Sequence, residues 1–253
     1  MKIQIVSDTH NDLRRFIPNK DADLIVHAGD FNTGAFARIT PIEEFVNLCA
    51  SYNKECVFVL GNHDYYGHNF YNSFIEKECY KRGYNLLTIN NSFKYKGFEF
   101  IGSIFGTDFK LPGVEYFNTD LIKIQSQRNI TDFYEIYAND SLDVLFTPDD
   151  YIKEFNRSLE YIDSYRYKEN IVLVTHFPLS NKCLDPRYKD SPLNPYFIND
   201  IDLSGFLNVI SGHTHTTLID KIENTNIYIN ASGYSNKNNF ECLMYKSDFI
   251  IEI

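Results

Sequence analysis

Cys56-Val57-Phe58-Val59-Leu60-Gly61-Asn62-His63-Asp64 is the stretch from which the rest of the chain can be read. Five apolar residues in a row, with branched and aromatic side chains, read as a short buried strand. Glycine then allows a sharp turn. Three polar side chains follow at once: the amide of Asn62, the imidazole of His63 and the carboxylate of Asp64. Alone, this is only a polar strand end. Four more strand ends of the same kind give it weight.

Ile3, Ile5 and Val6 read as a strand ending at Asp8-Thr9-His10. Leu24 to Ala28 reads as a second, ending at Gly29-Asp30. Ile171 to Val174 leads to Thr175-His176, and Leu207 to Ile210 leads to Ser211-Gly212-His213-Thr214-His215. A helix is expected from Thr40 as N-cap, with Pro41 at the first position and Glu43 at the third, carrying Phe45, Val46 and Leu48 to near Asn53. A second runs from Asn69 to Arg82, where Gly83 stops it. Thr147-Pro148-Asp149-Asp150 starts a third, with Ile152, Phe155, Leu159 and Ile162 on one face. The chain thus begins β-α-β-α-β-α, which predicts crossover connections and an α/β sheet. Leu86 to Phe105 reads as short strands around a Lys96-Gly97 turn, and Thr217 to Ile253 as antiparallel strands. Residues 1–253 are read as one domain with two packed sheets. Residues 107–146, aromatic and acidic with weak periodicity, form a lid-like excursion with some local helix.

Composition narrows the class. The chain has 253 residues, 43% hydrophobic and 23% charged, as in ordinary soluble globular proteins. A net charge of −10 argues against broad nonspecific nucleic-acid binding. No apolar run is long enough to span a membrane, and the first residues do not read as a signal peptide. Five cysteines without C-x-x-C spacing read as buried free thiols in a reducing compartment, which makes the cytoplasm the expected location. The oligomeric state is left open.

Five of the seven histidines fall in the five strand-end clusters. In open α/β sheets, sites form outside the carboxyl ends of the strands. A single D-x-H is ordinarily a solvated loop; five polar clusters, each after an apolar strand, are a site. Imidazole, carboxylate and amide oxygen together suit first-row metals such as Mn, Fe, Zn, Co or Ni. The donors suffice for two ions.

In the order D-x-H, G-D, G-N-H-[DE], H, G-H-x-H, these residues resemble the calcineurin-like metallophosphoesterase family over essentially the whole chain. Gly106-Thr107-Asp108-Phe109, Phe146 to Asp150, and Asp185-Pro186-Arg187-Tyr188 through Leu193-Asn194 are similar to a group of small bacterial and phage phosphoesterases. The resemblance implies an α/β fold, a four-layer α/β/β/α sandwich of two mixed sheets. It implies two divalent metal ions, with manganese the first to try and Fe, Zn, Ni or Co as alternatives. Asp8, His10 and His215 would hold one ion, Asn62, His176 and His213 the other, and Asp30 would bridge them with a hydroxide. That hydroxide would attack a phosphodiester or phosphomonoester while His63 assists the leaving oxygen and Asp64 orients His63.

The sequence also departs from the family. Phe177 stands where the narrower group has a second histidine, and Gly106 where it has tryptophan. No arginine follows Asp30 or Asp64 closely, which favours a diester and argues against a phosphoprotein substrate. Arg187, Asp108 and Asn194 are candidate substrate contacts. Tyr116, Phe117, Phe133, Tyr134 and Tyr137 are read as lid packing, with nucleobase stacking as the alternative. His27 is read as a satisfied core residue and His68 as a solvated loop residue. A small phosphate ester is the expected partner; a nuclease of the same fold and a non-catalytic metal-binding scaffold are the competing readings.

Overall fold

The apolar runs become strands because each can bury both faces. A computed structural model describes residues 1–112, 118–236 and 239–253. In chain order its strands are β1 (Lys2–Val6), β2 (Leu24–Ala28), β3 (Glu55–Val59), β4 (Phe93–Tyr95), β5 (Phe98–Ser103) and β6 (Ile171–Thr175), followed by β7 (Asn208–Ser211), β8 (Thr217–Ile222), β9 (Thr225–Asn230), β10 (Ser235–Asn236), β11 (Asn239–Phe240) and β12 (Ile250–Glu252). The helices are α1 (Thr40–Ser51), α2 (Phe74–Arg82), α3 (Thr119–Asn129), α4 (Asp132–Glu135), α5 (Pro148–Asp163) and α6 (Asn194–Phe197).

Two large sheets result. One has the order β12-β1-β2-β3, with β1, β2 and β3 parallel and β12 antiparallel. The other has the order β4-β5-β6-β7-β9-β8, parallel through β5, β6, β7 and β9 with antiparallel edges. Side chains alternate across a strand. Ile3, Ile5, Val57 and Val59 therefore face Val172, Val174 and Ile210 between the sheets. The opposite faces carry helices: α1 packs on β3 and α5 on β5. The architecture is the expected four-layer sandwich of two mixed sheets. Each fully buried aliphatic or phenylalanine side chain contributes about 1.5–3 kcal/mol.

Several boundaries differ from the sequence reading. Thr40 is the first helical residue of α1 and not its cap, because Ile39 before it already has helical dihedrals. α2 starts at Phe74, capped by the Ser73 hydroxyl on the Glu76 N–H at 3.3 Å. Residues 69 and 70 are drawn away by strand-like pairing to Tyr137. Among the described residues no helix joins β1 to β2. The buried face of α5 runs through Tyr151, Glu154, Phe155, Ser158 and Ile162, and leaves Ile152 and Leu159 half-buried. Ser158 is drawn inward by the Ser103 hydroxyl of β5 at 2.8 Å. In the tail, β9 pairs antiparallel with β8 but parallel with β7. Residues 107–146 do carry local helix, in α3 and α4. The five cysteines are buried and unpaired. Among the described residues, no helix is long and apolar enough to cross a membrane.

Candidate metal centre

Parallel strands of both sheets end at one edge of the sandwich, and their loops meet there. Asp8 follows β1, Asp30 follows β2, Asn62 follows β3, His176 follows β6 and His213 follows β7. Getting the side chains inward takes unusual backbone. Asp8, His10, Asp30, His213 and His215 have φ of 53°, 47°, 62°, 68° and 49°. Such left-handed backbone costs about 1 kcal/mol or more per residue outside glycine, least for Asp, Asn and His, and gathers at functional sites.

Hydrogen bonds hold this backbone. The Asp64 carboxylate accepts the N–H groups of Asp30 (3.1 Å), Phe31 (3.1 Å), Asn32 (3.0 Å) and Gly61 (2.9 Å), and the Asn32 side-chain amide (2.9 Å). Asp30 Oδ1 accepts the His63 N–H at 3.0 Å, and Asp8 accepts the His213 N–H at 3.1 Å.

The imidazoles then decide what the site can hold. His10 Nδ1 lies 2.9 Å from the Asn32 carbonyl, which can only accept, so Nδ1 carries the proton and Nε2 the lone pair. His215 Nδ1 donates to Glu241 at 2.6 Å, which turns its Nε2 into the site. These two Nε2 atoms face each other at 3.0 Å. Asp8 Oδ1 is 3.5 Å from His215 Nε2, and Asp30 Oδ2 is 3.8 Å from His10 Nε2. The second half repeats the arrangement. His176 Nδ1 donates to the Ala28 carbonyl at 2.8 Å. Its Nε2 faces Asn62 Oδ1 at 3.0 Å and Asp30 Oδ2 at 3.4 Å. His213 Nε2 is buried with no partner. Lone pairs aimed at lone pairs need a proton or a metal cation between them.

Protonation follows the same logic. Burial pushes the His10 imidazole down to about 4 and His213 well below its usual range. Burial also opposes the charged forms of His176 and His215. The Asp30 carboxylate nevertheless holds His176 up at about 9, and Asp8 with Glu241 holds His215 at about 10. Asp8 falls to about 2 and Asp30 well below the carboxylate range: burial pushes both up, and the facing histidines outweigh it. The residues thus fit divalent cations. The sets Asp8, His10, His215 and Asp30, His176, His213 each bring ligand atoms within 4.8 Å, with the Asn62 oxygen beside the second.

His63 stands at the mouth. Its Nε2 shares a hydrogen bond of 2.9 Å with the Tyr234 hydroxyl and lies 4.0 Å from Asp30 Oδ2, while Nδ1 is buried with no partner. The expectation that Asp64 orients His63 is not met. The Asp64 carboxylate has no bond to the His63 ring and braces the turn that carries Asp30.

The other candidates divide. Arg187 and Asn194 line the adjoining cleft of about 360 Å³, together with His63, Tyr66, Tyr188 and Tyr234. Arg187 is held by Asp185 at 2.6 Å, and the Asn194 amide donates to the Tyr188 carbonyl at 2.8 Å. Asp108 does not reach the cleft; its carboxylate turns back onto the Lys110 N–H at 2.9 Å. Phe133, Tyr134 and Tyr137 do not line it either, and Tyr116 and Phe117 lie outside the described residues. His27 is a core residue, stacked on Phe31 and bonded to Thr9. His68 is buried rather than solvated, with Nε2 donating to the Ala37 carbonyl at 2.8 Å. Phe177 packs against the His213 ring, centroids 4.1 Å apart. Three site residues carried no motif: Tyr234, Glu241 and Asp132.

Residues 1–217 match the calcineurin-like phosphoesterase family. The chain belongs to it. No curated protein sequence matches the chain. Among solved structures, the phosphopantetheinyl hydrolase of Mycobacterium tuberculosis aligns at a TM-score of 0.68 and 14% identity, over 92% of this chain and 89% of that one. The protein TT1561 of Thermus thermophilus aligns at 0.50 and 12% identity, over 92% and 88%. Both likenesses concern the fold. The match to the calcineurin-like phosphoesterases ends before Tyr234 and Glu241, so the part of the chain beyond the family pattern still supplies two residues of this site.

Proposed function

We propose that this phosphoesterase hydrolyses a small phosphate ester, preferentially a diester, at a pair of divalent cations. The observation that carries the reading is the opposed donor pairs, His10 with His215 and His176 with Asn62, each 3.0 Å apart. Asp8, His10 and His215 would hold one ion and Asn62, His176 and His213 the other, with Asp30 shared. Divalent ions there would supply Lewis-acid charge and a water acidic enough to attack at neutral pH. His63 lines the cleft with its Nε2 4.0 Å from Asp30 Oδ2, and from there it would donate to a leaving oxygen.

The cleft favours a monoanion. Arg187 is the one lysine or arginine among the described residues that line it, and Asp185 already pairs with that guanidinium. Asp132, Asp185 and Glu241 line it as well. A dianionic monoester would meet more repulsion there than a monoanionic diester. The buried unpaired cysteines are consistent with a cytoplasmic location.

The test is metal analysis followed by assays of the Mn²⁺-reconstituted protein. Bis-p-nitrophenyl phosphate, p-nitrophenyl phosphate, cyclic nucleotides and single-stranded DNA are compared by kcat/KM. The diester should exceed the monoester. Turnover of none of them with two ions bound would overturn the enzymatic reading. Cleavage of DNA alone would replace it with a nuclease.

A further inference from the structure

Asp132 opens α4, inside the excursion and remote in sequence from every motif, and it is completely buried. Four donors converge on its carboxylate. Oδ1 accepts the Asn62 side-chain amide at 2.8 Å and the Tyr66 hydroxyl at 2.6 Å. Oδ2 accepts the Tyr151 hydroxyl at 2.5 Å and the Tyr196 hydroxyl. These fill the four lone-pair positions of a carboxylate. Tyr66, Tyr151, Tyr196 and Asn62 are buried as well.

An amide has two ends, and their difference matters at a metal site. Asp132 takes the N–H end of Asn62. The oxygen end is then fixed toward His176 Nε2, 3.0 Å away. A flipped Asn62 would set its oxygen against a carboxylate oxygen and turn N–H groups toward the cation position, where they cannot ligate. We propose that Asp132 is a positioning residue of the metal centre: it locks the Asn62 oxygen toward one ion and so makes that ion's affinity depend on the 107–146 excursion. This rests on the metal reading above. If the cluster served only to pin α4, its loss would lower stability and leave ion affinity unchanged.

The experiment is a calorimetric Mn²⁺ titration of metal-stripped protein, with melting followed by circular dichroism. Wild type, Asp132→Asn, Asn62→Asp and the exchange Asn62→Asp/Asp132→Asn are compared. Asp132→Asn should weaken one ion 10- to 100-fold, the usual scale for residues behind a metal ligand, and leave the other ion unchanged. The exchange restores one donor against one acceptor and keeps an oxygen at position 62. It should bind more tightly than the two single changes predict when added. The proposal is overturned if Asp132→Asn binds both ions like wild type whatever its Tm, or if both affinities fall together with Tm. It is also overturned if the exchange recovers nothing. Should Asp132→Asn not fold, the exchange measured against Asn62→Asp decides. Wild type that takes up no Mn²⁺ would instead overturn the metal reading itself, and this role with it.

Discussion

Replacing Glu241 separates charge from geometry behind His215. The Glu241 carboxylate accepts His215 Nδ1–H at 2.6 Å and the Tyr234 N–H at 3.2 Å through the same oxygen. A hydrogen bond to a charged group contributes about 1.5–3 kcal/mol. The Glu241 side chain is 34% exposed, so solvent screening puts this bond in the lower half of that range. Glu241→Ala should therefore cost about 1.5–2 kcal/mol in Mn²⁺ affinity, roughly 10- to 30-fold. Glu241→Gln keeps an accepting oxygen and loses only the charge. It should cost about half as much, roughly fivefold. The assay is Mn²⁺ titration of metal-stripped protein, paired with kcat/KM on bis-p-nitrophenyl phosphate. The expected order is wild type, then Gln, then Ala. Wild-type affinity in Glu241→Ala would refute the reasoning, because His215 would then need no partner to hold its tautomer. Equal losses in Gln and Ala would refute the separation of charge from geometry.

Other variants address other links. His63→Ala should lower kcat by about 10²–10⁴-fold at unchanged metal content; equal loss of metal and rate would make His63 a ligand instead. Asp64→Ala should cost about 2–4 kcal/mol of stability in urea melts, since four backbone N–H groups lose their acceptor and admitted water replaces it only in part; a kcat loss at wild-type stability would restore Asp64 as a support for His63. Burial raises Glu154 from 4.5 to about 7, so the folded protein holds a proton there that the unfolded chain releases. Its contribution to stability is full below pH 4.5 and is lost as pH rises through about 7, on the order of 3 kcal/mol. Melts of metal-free protein from pH 5 to 8 should slope downward in wild type and be flatter in Glu154→Gln.

The five strand ends were legible because their chemistry coincides with local pattern: an apolar run, a turn, then polar side chains. Nothing local marks Tyr234, Glu241 or Asp132. Tyr234 reaches His63 across 171 positions, and Asp132 reaches Asn62 across 70. Asp64 departs from its local pattern for the opposite reason. It adjoins His63 in sequence, but Asn62–Tyr65 forms a 3-10 turn, where successive side chains point about 120° apart. The start of α2 failed likewise. Its helical pattern extends back to Asn69, but pairing with Tyr137 competes for that backbone.

The close donor pairs have one more property. His10 with His215, and Asn62 with His176, each draw one partner from the loops of the β1-β2-β3 sheet and one from those of the β6-β7 sheet. Cations held there would rivet the two halves of the sandwich across their seam. Sliding one sheet past the other would then break ligand bonds, and a chelator would loosen the same joint that it disarms. For such a joint, the free energy of ion binding is also a free energy of folding, so a melting curve recorded against Mn²⁺ concentration would read both.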